Sequence, residues 1–145
     1  MATQLSLPAF RLALPDGWVE QTIYMFVGPA DGGHQHHLSL QVDADPSSTD
    51  LGEYAEARLQ AQIENLPGAE TEKYAPLELP GGMEAHVTTV KWRPGKDEVL
   101  FFRQVFVERS GTIFALAGNF TKKSLPTLGG QMDMMAATIN LPGNG

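Results

Sequence analysis

The fold is decided by residues 100–107, which read Leu100-Phe101-Phe102-Arg103-Gln104-Val105-Phe106-Val107. Aromatic and β-branched residues dominate this stretch, as is typical of a β-strand. Successive side chains of a strand point to opposite faces of its sheet, and here both faces carry apolar residues. We therefore predict a strand over residues 98–108 whose two faces both need apolar cover.

Three further strands are predicted around this one, over residues 70–79, 83–93 and 112–118. The segments that separate the four strands are Pro80-Gly81-Gly82, Pro94-Gly95-Lys96-Asp97 and Ser110-Gly111. Such short, turn-forming connections join strands as hairpins, and hairpin strands run antiparallel. The second half of the chain is therefore expected to form an antiparallel meander.

The first half of the chain predicts three more strands, over residues 9–14, 21–27 and 37–42. The strand at 37–42 alternates apolar and polar residues, whereas the strand at 21–27 has apolar residues on both faces. A sheet backed by helices needs only one apolar face, so a strand with two requires either a second covering layer or a binding partner. The residues alone favour the covering layer.

Two helices complete the prediction. Residues 50–65 show apolar residues at three- and four-residue spacing after Thr49 and Asp50, either of which can cap the helix. The same spacing recurs over residues 121–139, although Pro126 and a Gly-Gly pair interrupt it, so we predict a second helix mainly after residue 124. The expected fold class is α+β, an antiparallel β-sheet flanked by helices. We expect the helices to cover one face of the sheet, with the other face or an edge covered elsewhere.

Size and charge narrow the classes of function. A chain of 145 residues with 42% hydrophobic content has the size of one domain, so we expect residues 1–145 to form a single domain. Its formal charge of -7 repels phosphate backbones, which argues against nucleic acid as a partner. The absence of cysteine excludes disulfides and thiolate metal sites and fits a reducing compartment. We see neither a secretory signal nor an apolar stretch of about 20 residues, and therefore expect a soluble cytoplasmic protein without direct membrane insertion.

Histidines are the first candidates for a metal site. His34, His36 and His37 lie close together in a glycine-rich segment, and imidazole is a ligand for zinc, copper and nickel. Neither a cysteine nor a second pair of ligands at helical spacing accompanies them, so we interpret the segment as a solvated polar loop. His86 stands alone in a strand pattern, and we expect it to be a hydrogen-bonded structural histidine.

No arrangement of residues predicts catalysis. The sequence contains no Gly-x-Ser-x-Gly nucleophile motif, and its glycine pairs belong to neither a phosphate-binding loop nor a dinucleotide fingerprint. Carboxylate pairs such as Glu70 and Glu72 fall in turns or on exposed strand faces, where solvated charge is the ordinary role. We therefore predict a binding protein without enzymatic activity, metal or cofactor.

Several motifs along the chain carry a family resemblance. They are Phe10-x-Leu12-x-Leu14-Pro15-Asp16-Gly17-Trp18, Gln21-Thr22-Ile23-x-x-Phe26, Tyr54-x-x-x-x-Leu59, Leu66-Pro67-Gly68, Trp92 and Arg103-Gln104-Val105-Phe106-Val107-Glu108. In order and spacing these motifs resemble the DcrB-related domain. Within that group they are most similar to the effector-associated (Eag) chaperones of type VI secretion systems.

The resemblance implies both a fold and a function. The fold is an antiparallel sheet flanked by helices, like that of Mog1 and PsbP, usually assembled as a homodimer. The function is that of a cytoplasmic chaperone, which binds the N-terminal transmembrane helices of a secreted effector and shields them before the effector is loaded on the secretion spike. The alternative is a DcrB-like structural or assembly protein unrelated to toxin export.

The resemblance also implies which residues bind the effector helices. Two aliphatic positions of a groove match Ile23 and Met25, and a helix contributes a polar residue and a leucine that match Arg58 and Leu66. The Arg-Gln-Val-Phe strand contributes Gln104. Arg58 departs from the glutamine expected at its position, which leaves its contacts open. The structural alternative is that the apolar members of this set belong to the core and the polar members pair with neighbouring backbone or carboxylate groups.

Overall fold

The structure is a computed structural model that describes residues 13, 15–17, 23–31 and 34–139. Its elements are β1 (Ile23–Asp31), β2 (His34–Asp43), α1 (Leu51–Asn65), β3 (Glu70–Glu78), β4 (Glu84–Gly95), β5 (Glu98–Arg109), β6 (Thr112–Phe120) and α2 (Leu125–Ala137). The predicted strand over residues 9–14 lies outside the described residues, except for Ala13, which is not in a strand. The other predicted strands and both helices are confirmed, with bounds that differ by a few residues.

The six described strands form one antiparallel sheet in the order β1-β2-β6-β5-β4-β3. The meander from β3 to β6 is confirmed, and Ser110 and Gly111 adopt positive φ angles of 51° and 83° in the turn between its last two strands. The β1–β2 hairpin joins the meander through the pairing of β2 with β6. The stretch that predicted the fold, in β5, therefore lies inside the sheet with a partner strand on each side.

The two helices lie on opposite faces of the sheet. On one face, Tyr54 and Ala55 of α1 pack with Phe106 of β5. On the other face, Leu128 and Met132 of α2 belong to a cluster that includes Val105 and Val107 of β5. The expectation that both helices would cover one face is therefore wrong. The physical reason is that neighbouring residues of β5 point to opposite faces, so each face needs its own helix.

Local features of the two helices explain where α1 begins and why α2 tolerates a proline and a glycine. Asp50 is the N-cap of α1, and its side chain accepts a hydrogen bond of 3.0 Å from the Glu53 backbone N–H. Pro126 lies in the first turn of α2, where a missing N–H costs no intrahelical hydrogen bond. Gly129 is buried against β5, since a Cβ there would lie 3.8 Å from the Arg103 Cδ. Pro126 is therefore tolerated in the first turn of α2, and Gly129 lets the helix lie close to the sheet.

An ion pair attaches α2 to the sheet. The guanidinium of Arg103, a buried residue of β5, donates to both carboxylate oxygens of Asp133, with 3.3 Å from Nη2 to Oδ2. The same Nη1 lies 3.5 Å from the Gly129 carbonyl oxygen. Paired arginine and carboxylate groups in this two-pronged geometry resist separation more than single hydrogen bonds do. Arg103 therefore belongs to the packing between β5 and α2.

Candidate functional site

Among the residues that the structure describes, the face of the sheet that carries α1 is only half covered. Helix α1 packs on β3, β4 and β5, and leaves the other end of that face open. There, Ile23, Met25 and Val27 of β1 project one row of apolar side chains that are 48%, 62% and 70% exposed. The strand register places this row on the same face as α1, because Met25 pairs with Ser39, Ser39 with Ala117, and Ala117 with Gln104.

A groove lies between this apolar row and α1, and we call it the β1–α1 groove. Its central cavity has a volume of 360 Å³. The residues that line this cavity are Met25, Gln35, His37, Ser39, Trp92, Leu100, Phe102, Ala117, Gly118 and Asn119. On the outer side, Ile23 and Val27 flank Met25 in the exposed row of β1. On the side of α1, Arg58 and Gln62 contact Gln41 and Gln104 of neighbouring strands, and they are not among the described residues that line the cavity. Small residues in the floor and large apolar residues at the sides make an open channel with a largely apolar lining.

Gln104 lies beside the floor of the β1–α1 groove, where it pairs with the cavity-lining residue Ala117. It is buried, and its Oε1 accepts a hydrogen bond from Nε2 of Gln62 on α1. Thr88 of β4 is the strand partner of Gln104. Two polar atoms near this pair, the Oε1 of Gln62 and the hydroxyl of Thr88, are buried without a hydrogen-bond partner among the described residues. Unsatisfied buried polar atoms are destabilising, and these two lie out of reach of solvent.

Arg58 forms one end of the helix wall. Its Nη2 donates to the Tyr54 hydroxyl at 2.8 Å and its Nη1 donates to Oε1 of Gln41 at 3.3 Å. The guanidinium also lies 5.2 Å from the centre of the Tyr54 ring, in cation–π range. The Tyr54 hydroxyl in turn donates to Asp43 at 2.9 Å. Burial raises the pKa of Tyr54 above its ordinary value of 10.0, so the hydroxyl stays protonated and keeps this donor role.

Leu66 and Trp92 lie towards the other end of α1. Leu66 is the C-cap residue, half-buried, and its backbone N–H donates to the Gln62 carbonyl at 2.9 Å. The next residue, Pro67, accepts a hydrogen bond from the Arg93 backbone N–H, which brings this end of the helix beside β4. The Trp92 indole N–H donates to Asn119 at 2.8 Å across the sheet. These contacts hold an aromatic ring at the end of the groove opposite Arg58.

The structure thus places the five predicted site residues around one sheet face. Ile23 and Met25 are exposed and outside the core, and Arg58 contacts neutral oxygens and not a carboxylate. Gln104 pairs with a side chain of α1 and not with backbone. Gln62 and Val27 were missed by sequence reasoning, as were Trp92, Ala117 and Phe102, which line the cavity. A signal existed for two of them, since Gln62 follows Arg58 by four residues on one helix face and Val27 continues the alternation of Ile23 and Met25.

The histidine-rich segment is part of a strand, and the interpretation of a solvated polar loop is wrong. His36 is buried, stacks near Phe120 and makes a hydrogen bond of 2.8 Å with the Ser124 hydroxyl at the start of α2. His37 is exposed and points to the opposite face, into the groove. Alternation along β2 separates these two rings. Within the part of the chain that the structure describes, no three His, Asp or Glu side chains are grouped to hold a metal ion.

His86 is a buried residue of β4, but it is not fully hydrogen-bonded. Its ring lies 4.5 Å from the Tyr74 ring, and its Nε2 has no hydrogen-bond partner among the described residues. Burial lowers the pKa of His86, and the charge of Asp50 opposes that shift. The expected hydrogen bond at Nε2 is therefore absent there, and the neutral ring is held by packing.

Comparison with known proteins identifies the family. The DcrB family model matches residues 11–137. The chain belongs to the DcrB family. Among curated proteins it is similar to Effector EagT6 of Pseudomonas aeruginosa, with 29% identity over 117 residues, which is 79% of this chain and 79% of that protein. The resemblance to the DcrB-related domain and its Eag branch is confirmed.

Solved structures support the fold of this DcrB-family chain. A crystal structure of the Pseudomonas aeruginosa protein PA94, of unknown function, matches with a TM-score of 0.66 and 25% identity over 88% of both chains. The solution structure of cyanobacterial PsbP from Synechocystis sp. PCC 6803 matches with a TM-score of 0.52 and 11% identity, over 89% of this chain and 97% of that one. The second match concerns the fold alone and agrees with the expected PsbP-like α+β architecture. Neither described helix is long and apolar enough to cross a membrane.

Proposed function

We propose that this protein is a chaperone of a type VI secretion effector, and that its β1–α1 groove binds the N-terminal transmembrane helices of that effector. The observation that carries the proposal is the exposed row of Ile23, Met25 and Val27, which faces the wall of α1 across a largely apolar floor. The family membership and the similarity to Effector EagT6 support the same function. We propose further that the protein acts in the cytoplasm as a homodimer and has no catalytic turnover.

The width of the groove suits an α-helix. Strands lie about 4.8 Å apart, so β1 and β5, which are separated by β2 and β6, lie about 14 Å apart. An α-helix with its side chains is about 10–12 Å across. A helix laid along the groove would therefore contact the β1 row on one side and α1 on the other.

Burial of apolar surface would supply the binding free energy. A transmembrane helix contains about 20 apolar residues, which aggregate in water if they stay uncovered. Each large apolar side chain that becomes buried contributes about 1.5–3 kcal/mol. Met25, at the centre of the exposed row, suits helices of different sequence because its unbranched thioether adapts its shape to the neighbour.

The pair formed by Gln62 and Gln104 would recognise polar groups of the bound helix. Transmembrane helices associate partly through hydrogen bonds between polar side chains. Gln62 is only partly buried, and a turn of its side chain towards the groove would make its unpartnered Oε1 available as an acceptor to such a group.

The proposal is tested by co-expression with the N-terminal segment of an effector encoded beside this protein, with the soluble fraction of the segment as the measurement. We expect the wild-type protein to keep the segment soluble, and Met25→Asp, Ile23→Asp and Gln104→Ala to reduce that fraction. Met134→Asp is the matched control, because Met134 is 63% exposed, like Met25, but lies on α2 at the opposite face. Equal behaviour of Met25→Asp and Met134→Asp would place the binding surface elsewhere and favour a structural or assembly role.

A further inference from the structure

We propose that Arg58 selects effector segments that carry a carboxylate side chain at the end of the apolar helix lying next to Gln41. This inference rests on the proposed function and specifies one property of the bound helix. It concerns the position where the chain has an arginine in place of the glutamine expected from the resemblance. Three observations carry it: the place of Arg58 in the groove, the partners of its guanidinium, and the charge of the surrounding surface.

Arg58 crosses one end of the β1–α1 groove. Its side chain begins on α1 and reaches Gln41 on β2, with β6 lying between. The β6 residue beneath this arm is Ala115, which pairs with Gln41 and is too small to obstruct it. On its other side Gln41 pairs with Ile23, the first residue of the exposed apolar row. The guanidinium therefore lies where the end of a bound helix would contact the protein.

The guanidinium has donors to spare and no carboxylate partner within 4.0 Å among the described residues. Its two described hydrogen bonds go to neutral oxygens, those of Tyr54 and Gln41. The ion pair found within 4.0 Å among the described residues is that of Arg103 with Asp133, on the other face. A guanidinium carries five N–H donors, and its planar fork fits both oxygens of a carboxylate. Arg58 is held in place by Tyr54 and Gln41, so it is oriented before a partner arrives.

The surrounding charges restrict a carboxylate to this end of the groove. The residues that line the central cavity include no Lys, Arg, Asp or Glu. The whole chain has a formal charge of -7, which repels an acidic partner elsewhere on its surface. Asp43, on β2, accepts a hydrogen bond from the Tyr54 hydroxyl and forms no ion pair within 4.0 Å with Arg58. A carboxylate on the bound helix therefore gains a permanently charged partner at Arg58, whereas the cavity lining offers it only polar side chains without Lys or Arg.

The test uses two synthetic apolar helical peptides that differ only in one terminal residue, Glu or Gln, and measures their affinity by fluorescence anisotropy. For the wild-type protein we expect the Glu peptide to bind about tenfold more tightly than the Gln peptide, as for a hydrogen bond to a charged group. For Arg58→Gln we expect the difference to fall below about twofold. Lys123→Gln is the matched control, since it removes one positive charge from an exposed turn before α2 and should preserve the tenfold difference.

The outcomes separate this inference from the proposed function. If the wild-type protein binds both peptides equally, the selection by Arg58 is overturned while helix binding stands. Because this comparison uses only the wild-type protein, it does not depend on whether a variant folds. If it binds neither peptide, helix binding itself fails. Arg58→Lys keeps the positive charge but loses the planar guanidinium, and we expect it to retain part of the difference in affinity between the Glu and Gln peptides. An Arg58→Gln protein that keeps the full tenfold difference would assign the effect to another residue.

Discussion

The two halves of the α1 face of the sheet have similar residues and different surroundings. Beneath α1, Phe106 and Val90 are completely buried, whereas Ile23, Met25 and Val27 on β1 are about half exposed or more. Both halves are apolar because both strands have apolar residues on two faces. The difference arises because α1 is 15 residues long and packs on β3, β4 and β5, so it does not reach the β1 end of the sheet. An apolar strand face therefore becomes part of the core or an exposed surface according to what the chain places over it.

The largest expected effect tests this comparison directly. We expect Phe106→Ala to lower the free energy of unfolding by about 3–5 kcal/mol, because it leaves a cavity between α1 and β5. We expect Met25→Ala to change it by less than about 0.5 kcal/mol, because the side chain already lies in solvent. Urea denaturation measures both values. Similar losses for the two variants would mean that the β1 row belongs to the core.

A smaller difference in the free energy of unfolding is expected between variants of Arg103 and of Arg58, which lie on opposite faces of the sheet. Arg103→Met leaves the carboxylate of Asp133 partly buried without its partner, and we expect a loss of about 2 kcal/mol, below the value for a fully buried pair because Asp133 is 22% exposed. Arg58→Met should cost less than about 1 kcal/mol, since its contacts are with neutral groups at the groove. Chemical denaturation again gives the measurement. The double variant Arg103→Met with Asp133→Leu should recover most of the loss, and no recovery would refute a role for the ion pair in attaching α2.

The smallest expected effect is a pH dependence of stability that arises from His86, on the half of the α1 face that the helix covers. Burial lowers the pKa of His86 below the value of 6.5 that it has when unfolded, so protonation favours the unfolded chain. The stability from the neutral ring is complete above pH 6.5 and is lost as the pH falls from there through the folded pKa. Thermal unfolding followed between pH 7.5 and about 5 checks this dependence.

Two variants isolate the contribution of His86 to that dependence. His86→Gln should weaken the pH dependence, because it removes the buried titrating ring beside Tyr74. His37→Gln is the control, since His37 is exposed on β2 and should leave the dependence unchanged. If His37→Gln has the larger effect, the covered half of the face is not the source. The charge of Asp50 works against the shift, so Asp50→Asn should strengthen the dependence.

Much of the architecture could be predicted because it depends on neighbouring residues. The alternation in residues 98–108 and the spacing in residues 50–65 predict β5 and α1 within a residue or two. Pro126 breaks the helical pattern of α2 in the sequence, although it lies in the first turn of that helix, where proline is tolerated. The glycines beside the histidine segment predict a loop, whereas pairing with β1 extends β2 back to His34. In that segment tertiary pairing outweighs local propensity.

The candidate site was predictable only in part. Ile23 and Met25 share a strand face by local geometry, which a period of two residues predicts. Gln62 and Trp92 join them only through packing, because Gln62 meets Gln104 across 42 positions and Trp92 meets Asn119 across 27. Arg58 could be placed on a helix but not related to Gln41. A contact of this kind depends on the strand order, which no local pattern contains.

Local sequence patterns are enough to predict an antiparallel α+β protein with more apolar strand faces than two helices can cover, because strand alternation, helix periodicity and turn residues act over a few neighbouring positions. Which apolar face stays open among the described residues depends on long-range packing. That result needs the pairing of β2 with β6 and the placement of α1 and α2 on opposite faces, both of which join residues far apart in the chain. The stretch Leu100-Phe101-Phe102-Arg103-Gln104-Val105-Phe106-Val107 required cover on two sides, and the fold supplied a helix to each while leaving β1 uncovered on the α1 face.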